Sequence, residues 1–537
     1  MTYGAMPAYP DVQLRTDSAE TARSSRRLSL RRAITLSAVL MVIAIPHLRL
    51  TQAYFLGYDD FNEVHRAAFE DSEHPSRIFT TGHFRVPKYR PLNRGLNFIT
   101  YHVGRGSPVA FRTRNILFHL LNSALLFYLG IFLFDSTFIA ALGATLFGLH
   151  PLTHQAVADA VMTNTAATSL ALAASLLGLH SYRTLVHQRR WLVAAMATVL
   201  VGVLVWEPVI SVVGLIALYF ALDQMFSRGG RRYQKWLPTA ALLSVAIVVS
   251  MLGMRALVLS GGRQPVASPL SMAKNSAMYV IAVGLPVDSL LANQWLGTPL
   301  VSEIHLGGVS HRFVIIAGCS LLMIVALLGF FRSRIQAYLL SLRSAECLFL
   351  LGAAFFTVLP LLVFTDHASE NYLYLPLAFC MLLLSRVLLD LRRANSIACV
   401  IVISFLLASF GCATWARTER VVRSSAIAQR ILSELPCSIW RQGGWHIWLA
   451  TAPGQPAPHR YGLYAYQGLD TIANGDGIDA IESAIQLKTG NRQVEAQVLP
   501  PENLREKCSG AIRDTERCFW VYSDGRVERF RDFNSLP

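Results

Sequence analysis

Charge is scarce in this chain. Only 15% of its 537 residues are Asp, Glu, Lys or Arg, against 53% hydrophobic residues, and mean hydropathy is +0.41. That balance excludes an ordinary soluble domain, which could not hide so much apolar surface. Acids are the scarcer sign, 33 against 48 basic residues, which raises the question of nucleic acid. The basic residues, however, lie in short clusters between apolar runs and form no stripe on a folded soluble domain, so a nucleic-acid partner is excluded. The eight cysteines show no metal-ligand spacing. No small-residue cleavage site closes the apolar stretch that begins at Ala33, so it reads as a retained signal-anchor.

What is present is a series of apolar runs. After the first, which reaches about Leu56, they centre on 115–134, 137–150, 163–180, 191–206, 208–225, 236–259, 313–331, 346–364, 372–390 and 395–415. At ~20 residues per crossing this predicts an all-α polytopic membrane protein of about eleven transmembrane helices. Residues 1–32, polar up to the SSRRLSLRR run, read as a disordered cytoplasmic tail. The clusters HSYRTLVHQRR, RGGRRYQK, FRSR with SLR, and LRR fall on the cytoplasmic side under an eleven-span count with the N-terminus inside. Pro269 to Leu291, with Lys274, Asp288 and a Gly-Leu-Pro break, would upset that count if it spanned. It is therefore expected to be a re-entrant or interfacial helix on the outer face.

Parity places the loops 57–112 and 260–312, His150 to Met162, Glu207 and Asp366 to Asn371 together outside. The membrane domain then covers 33–416, and 417–537 is a small periplasmic α+β domain. In that domain Asp524-Gly525 reads as a hairpin turn, and Cys508 with Cys518 is the first choice of disulfide, leaving Cys437 odd. Cys319, Cys347, Cys380, Cys399 and Cys412 read as buried apolar thiols.

Within TQAYFLGYDDFNEVHRAAF, Asp59 and Asp60 put two carboxylates at a membrane edge, where an acid is costly and hence a functional candidate. Apolar residues at 61, 64, 68 and 69 predict a short interfacial helix that braces the pair. The plainer reading is that the acids cap that helix. Arg90, with Pro91 fixing its turn, offers the planar donor fork that phosphate needs, and Lys88 and Arg94 flank it. Arg112 and Arg114 read either as further phosphate ligands or as snorkelling to lipid headgroups. Arg49 is a cavity candidate as much as a lipid-facing one. His119 and Asn122 share one face of a span and are read as helix-to-helix hydrogen bonders. His150 and His154, spaced HPLTH, lack a third metal ligand and read as cavity-lining or acceptor-contacting groups. Glu207, in a WEP break, is placed to pair with an arginine. Glu370 and Tyr372 open the tenth span.

Five pieces in order, YDD (58–60), KYRPLNRGLNFITYHVG (88–104), NILFHLLNSALLFYL (115–129), LFGLHPLTHQAVA (146–158) and ENYLYLPLAFCMLLL (370–384), resemble the GT-C superfamily of membrane glycosyltransferases that use polyprenyl-phosphate-linked sugars. More narrowly they resemble the membrane part of the transmembrane-and-tetratricopeptide O-mannosyltransferases and their bacterial relatives. The resemblance implies a multi-pass protein of a bacterial inner membrane, with an outer-leaflet site. Asp59 would be the base of an inverting transfer to an acceptor protein, glycan or lipid. Asp60 would orient it, position the acceptor, or join a divalent cation if one is used; no other cofactor is implied. Glu370 and Tyr372 are named on this match. The chain departs from the pattern in two places: Asn371 stands where the family has Arg, and MTNTAATS at 162–169 replaces a Gly-Arg-x-Asp-like stretch. No tetratricopeptide repeat follows the last span. Two rivals therefore stay open, a lipid or sugar-lipid transporter and a non-catalytic scaffold on a degenerate transferase core.

Overall fold

The computed structural model describes residues 12–57, 59–80, 89–183, 188–226, 268–284, 344–364, 370–454, 468–473, 480–508 and 515–530. The expected spans 236–259 and 313–331, Tyr58, Lys88, Asp288, Cys319, Asp366 and most of 260–312 lie outside them.

Helices dominate. Helix α1 runs Val12–Leu48, α2 Asp60–His65, α3 Pro91–Val103, α4 Pro108–Phe134, α5 Thr137–Leu149, α6 His154–Ala158, α7 Asn164–Arg183, α8 Gln188–Val205 and α9 Ser211–Phe226. After them come α10 Pro269–Gly284, α11 Ala345–Phe364, α12 Tyr374–Ala394 and α13 Ser396–Glu434. Among the described residues five helical stretches are long and apolar enough to cross a membrane: Leu28–Gln52, Pro108–Phe134, Ala345–Leu362, Glu370–Ala394 and Ser396–Glu434. Helix α10, on the segment expected to be re-entrant or interfacial, has 16 residues.

Two elements depart from the reading of the sequence. Helix α1 begins at Val12, inside the expected disordered tail. Residues 12–45 contain neither Gly nor Pro, so local propensity favours helix without any packing periodicity. Helix α13 has 39 residues and runs unbroken through position 417. The change of composition there is a change of surroundings and not of backbone.

Small residues bring the bundle helices close, as membrane interfaces require. A Cβ on Gly143 of α5 would lie 2.6 Å from Leu382 of α12, and one on Gly130 of α4 would lie 2.8 Å from the Ala140 backbone. Polar groups stitch the same helices. The His119 ring nitrogens face the Tyr374 hydroxyl (2.6 Å) and the Gly148 carbonyl (3.0 Å), while Asn122 donates to the Thr165 carbonyl (2.8 Å). Both residues bond helix to helix.

Beyond α13 a four-stranded sheet has the order β2-β1-β3-β4, from β1 Trp445–Thr451, β2 Val494–Val498, β3 Glu516–Val521 and β4 Val527–Arg529. Strand β1 pairs in parallel with β2 and β3, and β3 pairs antiparallel with β4 around Gly525, whose φ of 89° suits the turn. Helices α14 Asp470–Ala473, α15 Ala480–Thr489 and α16 Pro501–Cys508 accompany the sheet. A disulfide joins Cys508 to Cys518, and Cys437 is a free, buried thiol. This domain docks on the α2 region. The Gly57 N–H donates to the Thr471 carbonyl (2.6 Å), His65 Nε2 bonds Gln486 Oε1 (2.6 Å), and Arg492 pairs with Glu73.

Candidate functional site

Helix α2 carries the acid pair at its first turn, where the N-terminal end of the dipole favours negative charge. The two acids are treated differently. Asp60 is 4% exposed, and its oxygens accept from the Leu56 N–H (3.1 Å), the Ala160 N–H (3.0 Å) and Arg112 (3.2 Å). Burial raises its carboxyl above the usual range, opposed by Arg112 and the backbone donors. A cation at Asp60 would have to displace those donors, and among the described residues no group of three His, Cys, Asp or Glu side chains is placed to hold a metal ion. Asp59 is half-buried and occupies the N-cap position, yet its side chain makes no capping hydrogen bond.

Helix α2 continues through a wide turn at Arg66–Glu70 to Asp71–Glu73. Its buried face is Phe61, Val64 and Ala67 with Glu63, Arg66 and Asp71, in place of the expected 61, 64, 68 and 69. Arg66 pairs with Glu63 within the segment, and α3 meets the two acids. Arg94 bonds both oxygens of Asp71, one at 2.9 Å, and Asn97 reaches Glu63 (3.4 Å).

Arg112 and Arg114 overturn the snorkelling explanation. Arg112 is fully buried and also donates to the Tyr54 carbonyl (2.9 Å). Arg114 donates to Asn97 (2.8 Å) and to the Ala160 carbonyl (2.7 Å). Both lie within the first two turns of α4, and the backbone carbonyls that receive them belong to loops. Apolar patterning carries no signal for such partners.

Residues 159–164, the connection from α6 and the first residue of α7, form the junction of the site. Asn115 donates to the Asp159 carbonyl (2.5 Å), Asn97 to the Val161 carbonyl (3.1 Å), and Ala160 to Asp60. At the far end Asn164 donates to the Asn371 carbonyl (3.3 Å), and the Asn371 N–H donates to Gln155 Oε1 (2.9 Å). Residues a hundred and more apart in sequence are thereby fastened to one short segment.

Arg90, at the start of α3, pairs with Glu207 at 2.7 Å, and both are half-buried. Burial alone would lower its pKa; Glu207 outweighs burial and raises it, with Tyr372 and Glu63 adding to the effect, so the guanidinium stays charged. Glu370 lies deeper: it and Arg417 of α13 are fully enclosed and joined at 2.6 and 3.1 Å, and Arg417 also donates to the Pro151 carbonyl (2.6 Å). His150 and His154 are buried at the joint between α5 and α6. His150 Nδ1 accepts from the Leu152 N–H (3.2 Å), and His154 Nε2 faces Thr418 (3.2 Å). Burial holds the His154 pKa well below its ordinary value. Arg49 stands apart from the others, paired with Glu419 of α13. Asp59, Asp60, Arg90, Glu207, Glu370 and Tyr372 are thus linked through α2, α3 and residues 159–164; Arg94 braces α2, and both histidines pack behind.

No protein-family model and no curated protein matches the chain. Solved structures are similar to it. The oligosaccharyltransferase of Archaeoglobus fulgidus, in a complex with zinc and sulfate, shares 14% identity over 76% of this chain and 60% of its own, with a TM-score of 0.46. The archaeal oligosaccharyltransferase AglB from the same organism, with an inhibitory peptide and a dolichol-phosphate, gives 12%, 77%, 62% and 0.44. This chain therefore spans about three fifths of the length of those two. ArnT from Cupriavidus metallidurans, bound to undecaprenyl phosphate, is similar over 91% of this chain and 92% of its own, at 13% identity and a TM-score of 0.44.

Proposed function

We propose that this chain is an integral membrane glycosyltransferase that moves a sugar from a polyprenyl-phosphate donor to an acceptor hydroxyl at the outer face of the membrane, with inversion. The observation that carries the reading is the division between the adjacent acids. Asp60 is buried against Arg112 and two backbone N–H groups, whereas Asp59, beside it, is only half-buried. A general base must reach its proton, and of the two only Asp59 retains the exposure to do so.

In the reaction Asp59 takes the proton of the acceptor hydroxyl, whose oxygen attacks the anomeric carbon. The bond from that carbon to the phosphate oxygen breaks, and polyprenyl phosphate leaves. Arg90 receives the departing charge: its guanidinium is fixed by Glu207 on one side, so its remaining donors are aimed without loss of side-chain freedom at the moment of transfer. Asp60 and Arg112 hold the α2 turn, and Glu370 with Arg417 hold the turn that presents Tyr372.

The test is mass spectrometry of lipid that copurifies with the detergent-solubilised protein, followed by transfer assays with wild type and Asp59→Asn. Recovery of a prenyl-phosphate-sugar, its consumption by the wild type and its retention by the variant are the expected results. Transfer at the wild-type rate with Asp59 neutralised would remove the mechanism.

A further inference from the structure

Next to this machinery lies a polar side chain whose needs the protein does not meet. Asn371 is 5% exposed, and its backbone is satisfied at both ends by Gln155 and Asn164. Its carboxamide is not. Among the described residues Oδ1 has no hydrogen-bond partner, and Nδ2 reaches only the sulfur of Met162, at 3.9 Å. Enclosing an amide without partners forfeits its hydration for nothing in return, so buried amides in folded proteins are nearly always bonded.

The neighbours indicate what is missing. Met162 and Tyr372, on either side, are both half-buried, so the amide lies one thioether below the surface. Methionine is the apolar side chain most easily moved aside. Met162 is two residues from Ala160, which holds Asp60, and Tyr372, adjacent to Asn371, contributes to the charge environment of Arg90. The amide thus adjoins both the segment that holds Asp60 and the tyrosine that acts on Arg90. The carboxylate next to it in sequence, Glu370, is enclosed with Arg417.

We infer that Asn371 recognises the sugar: with Met162 swung aside, its carboxamide donates to one hydroxyl of an uncharged hexose on the donor lipid and accepts from another. This rests on the reading of the chain as a polyprenyl-phosphate-sugar transferase. An amide offers a donor and an acceptor side by side, the match for neighbouring hydroxyls, and supplies no charge to offset an amino or carboxyl substituent.

The experiment measures equilibrium binding of undecaprenyl phosphate, bare or carrying mannose or glucose, to the full-length protein and to Asn371→Leu, with Asn371→Ala as the second variant should the first fail to accumulate. Wild type should prefer at least one hexose-bearing lipid. The variant should bind that lipid about 10-fold or more weakly, keep its affinity for the bare phosphate within about twofold, and melt no lower than wild type, because the unsatisfied oxygen is gone. A purely structural Asn371 would instead lower the melting temperature and weaken both lipids alike, which overturns the inference. Equal affinity of wild type for bare and hexose-bearing lipids also overturns it, while leaving the donor class standing. If wild type binds none of the three, the donor reading falls and the inference with it.

Discussion

Two kinds of ion pair sit in one part of this molecule. Asp60–Arg112 and Glu370–Arg417 are enclosed, and each pair also bonds backbone, at Leu56, Ala160 and Tyr54 for the first and at Pro151 for the second. Arg90–Glu207 is half-open, and so is the turn at Asp59. Enclosed pairs hold backbone in place, since a charge left alone in the interior is far costlier than the pair. Half-open charges remain available to a ligand. Adjacency in a motif does not predict which kind a residue will be, as Asp59 and Asp60 show.

Four measurements would break or sharpen that division. The largest effect is expected at Asp59: Asp59→Asn should lower turnover about 10³-fold with an unchanged melting temperature, whereas Asp60→Asn should show up first as lost stability. Equal thermal shifts for the two variants would erase the distinction. Next, Glu370→Gln or Arg417→Met alone should destabilise the protein by about 3 kcal/mol or more, and combining them should recover much of the loss, as followed by unfolding in detergent. At the half-open pair the sign of the evidence reverses. Arg90→Ala should weaken binding of a prenyl phosphate about 10-fold while costing no more than about 1 kcal/mol of stability, the scale of an exposed ion pair. The smallest effect concerns pH. Burial lowers the His65 pKa below its ordinary 6.5, so the unfolded state takes up the proton first. The stability that neutral His65 provides is therefore full above pH 6.5 and is lost as pH falls from there toward the lowered folded value. A melting curve series from pH 7.5 to 5.5 (about the range in which an ordinary imidazole titrates) should be flatter for His65→Gln than for wild type.

The helical class, the Asp524-Gly525 turn and the Cys508–Cys518 bridge were legible from composition, apolar runs and turn chemistry, because each depends on near neighbours, whereas the pairing of β1 with β2 and β3 was not. The acids and Arg90 were legible as candidates through the motifs around them. Arg112 was misjudged because its place at the end of an apolar run is the same whether it reaches outward to lipid or inward to Asp60; only the fold 52 residues away decides. Residues 159–164 were placed on the outer face, but their role as a junction went unread for a related reason. Their part is played by backbone N–H and C=O groups, which every residue possesses and no sequence pattern marks. Asn371 was visible only as a departure from a pattern, and its unmet amide appears once Met162 and Gln155 are packed around it.

The continuity of α13 bears on how this protein is handled at the bench. A fragment cut at 417, where the composition turns polar, would keep the last turns of α13, whose Val421, Ala428 and Ile431 belong to the same buried cluster as Trp440, Ile447 and Phe519. A cut after Leu435 would strip the strands of the helix they rest on, because Arg430 pairs with Asp524, Glu434 accepts from the Val527 N–H and Gly525 lies against Ile427.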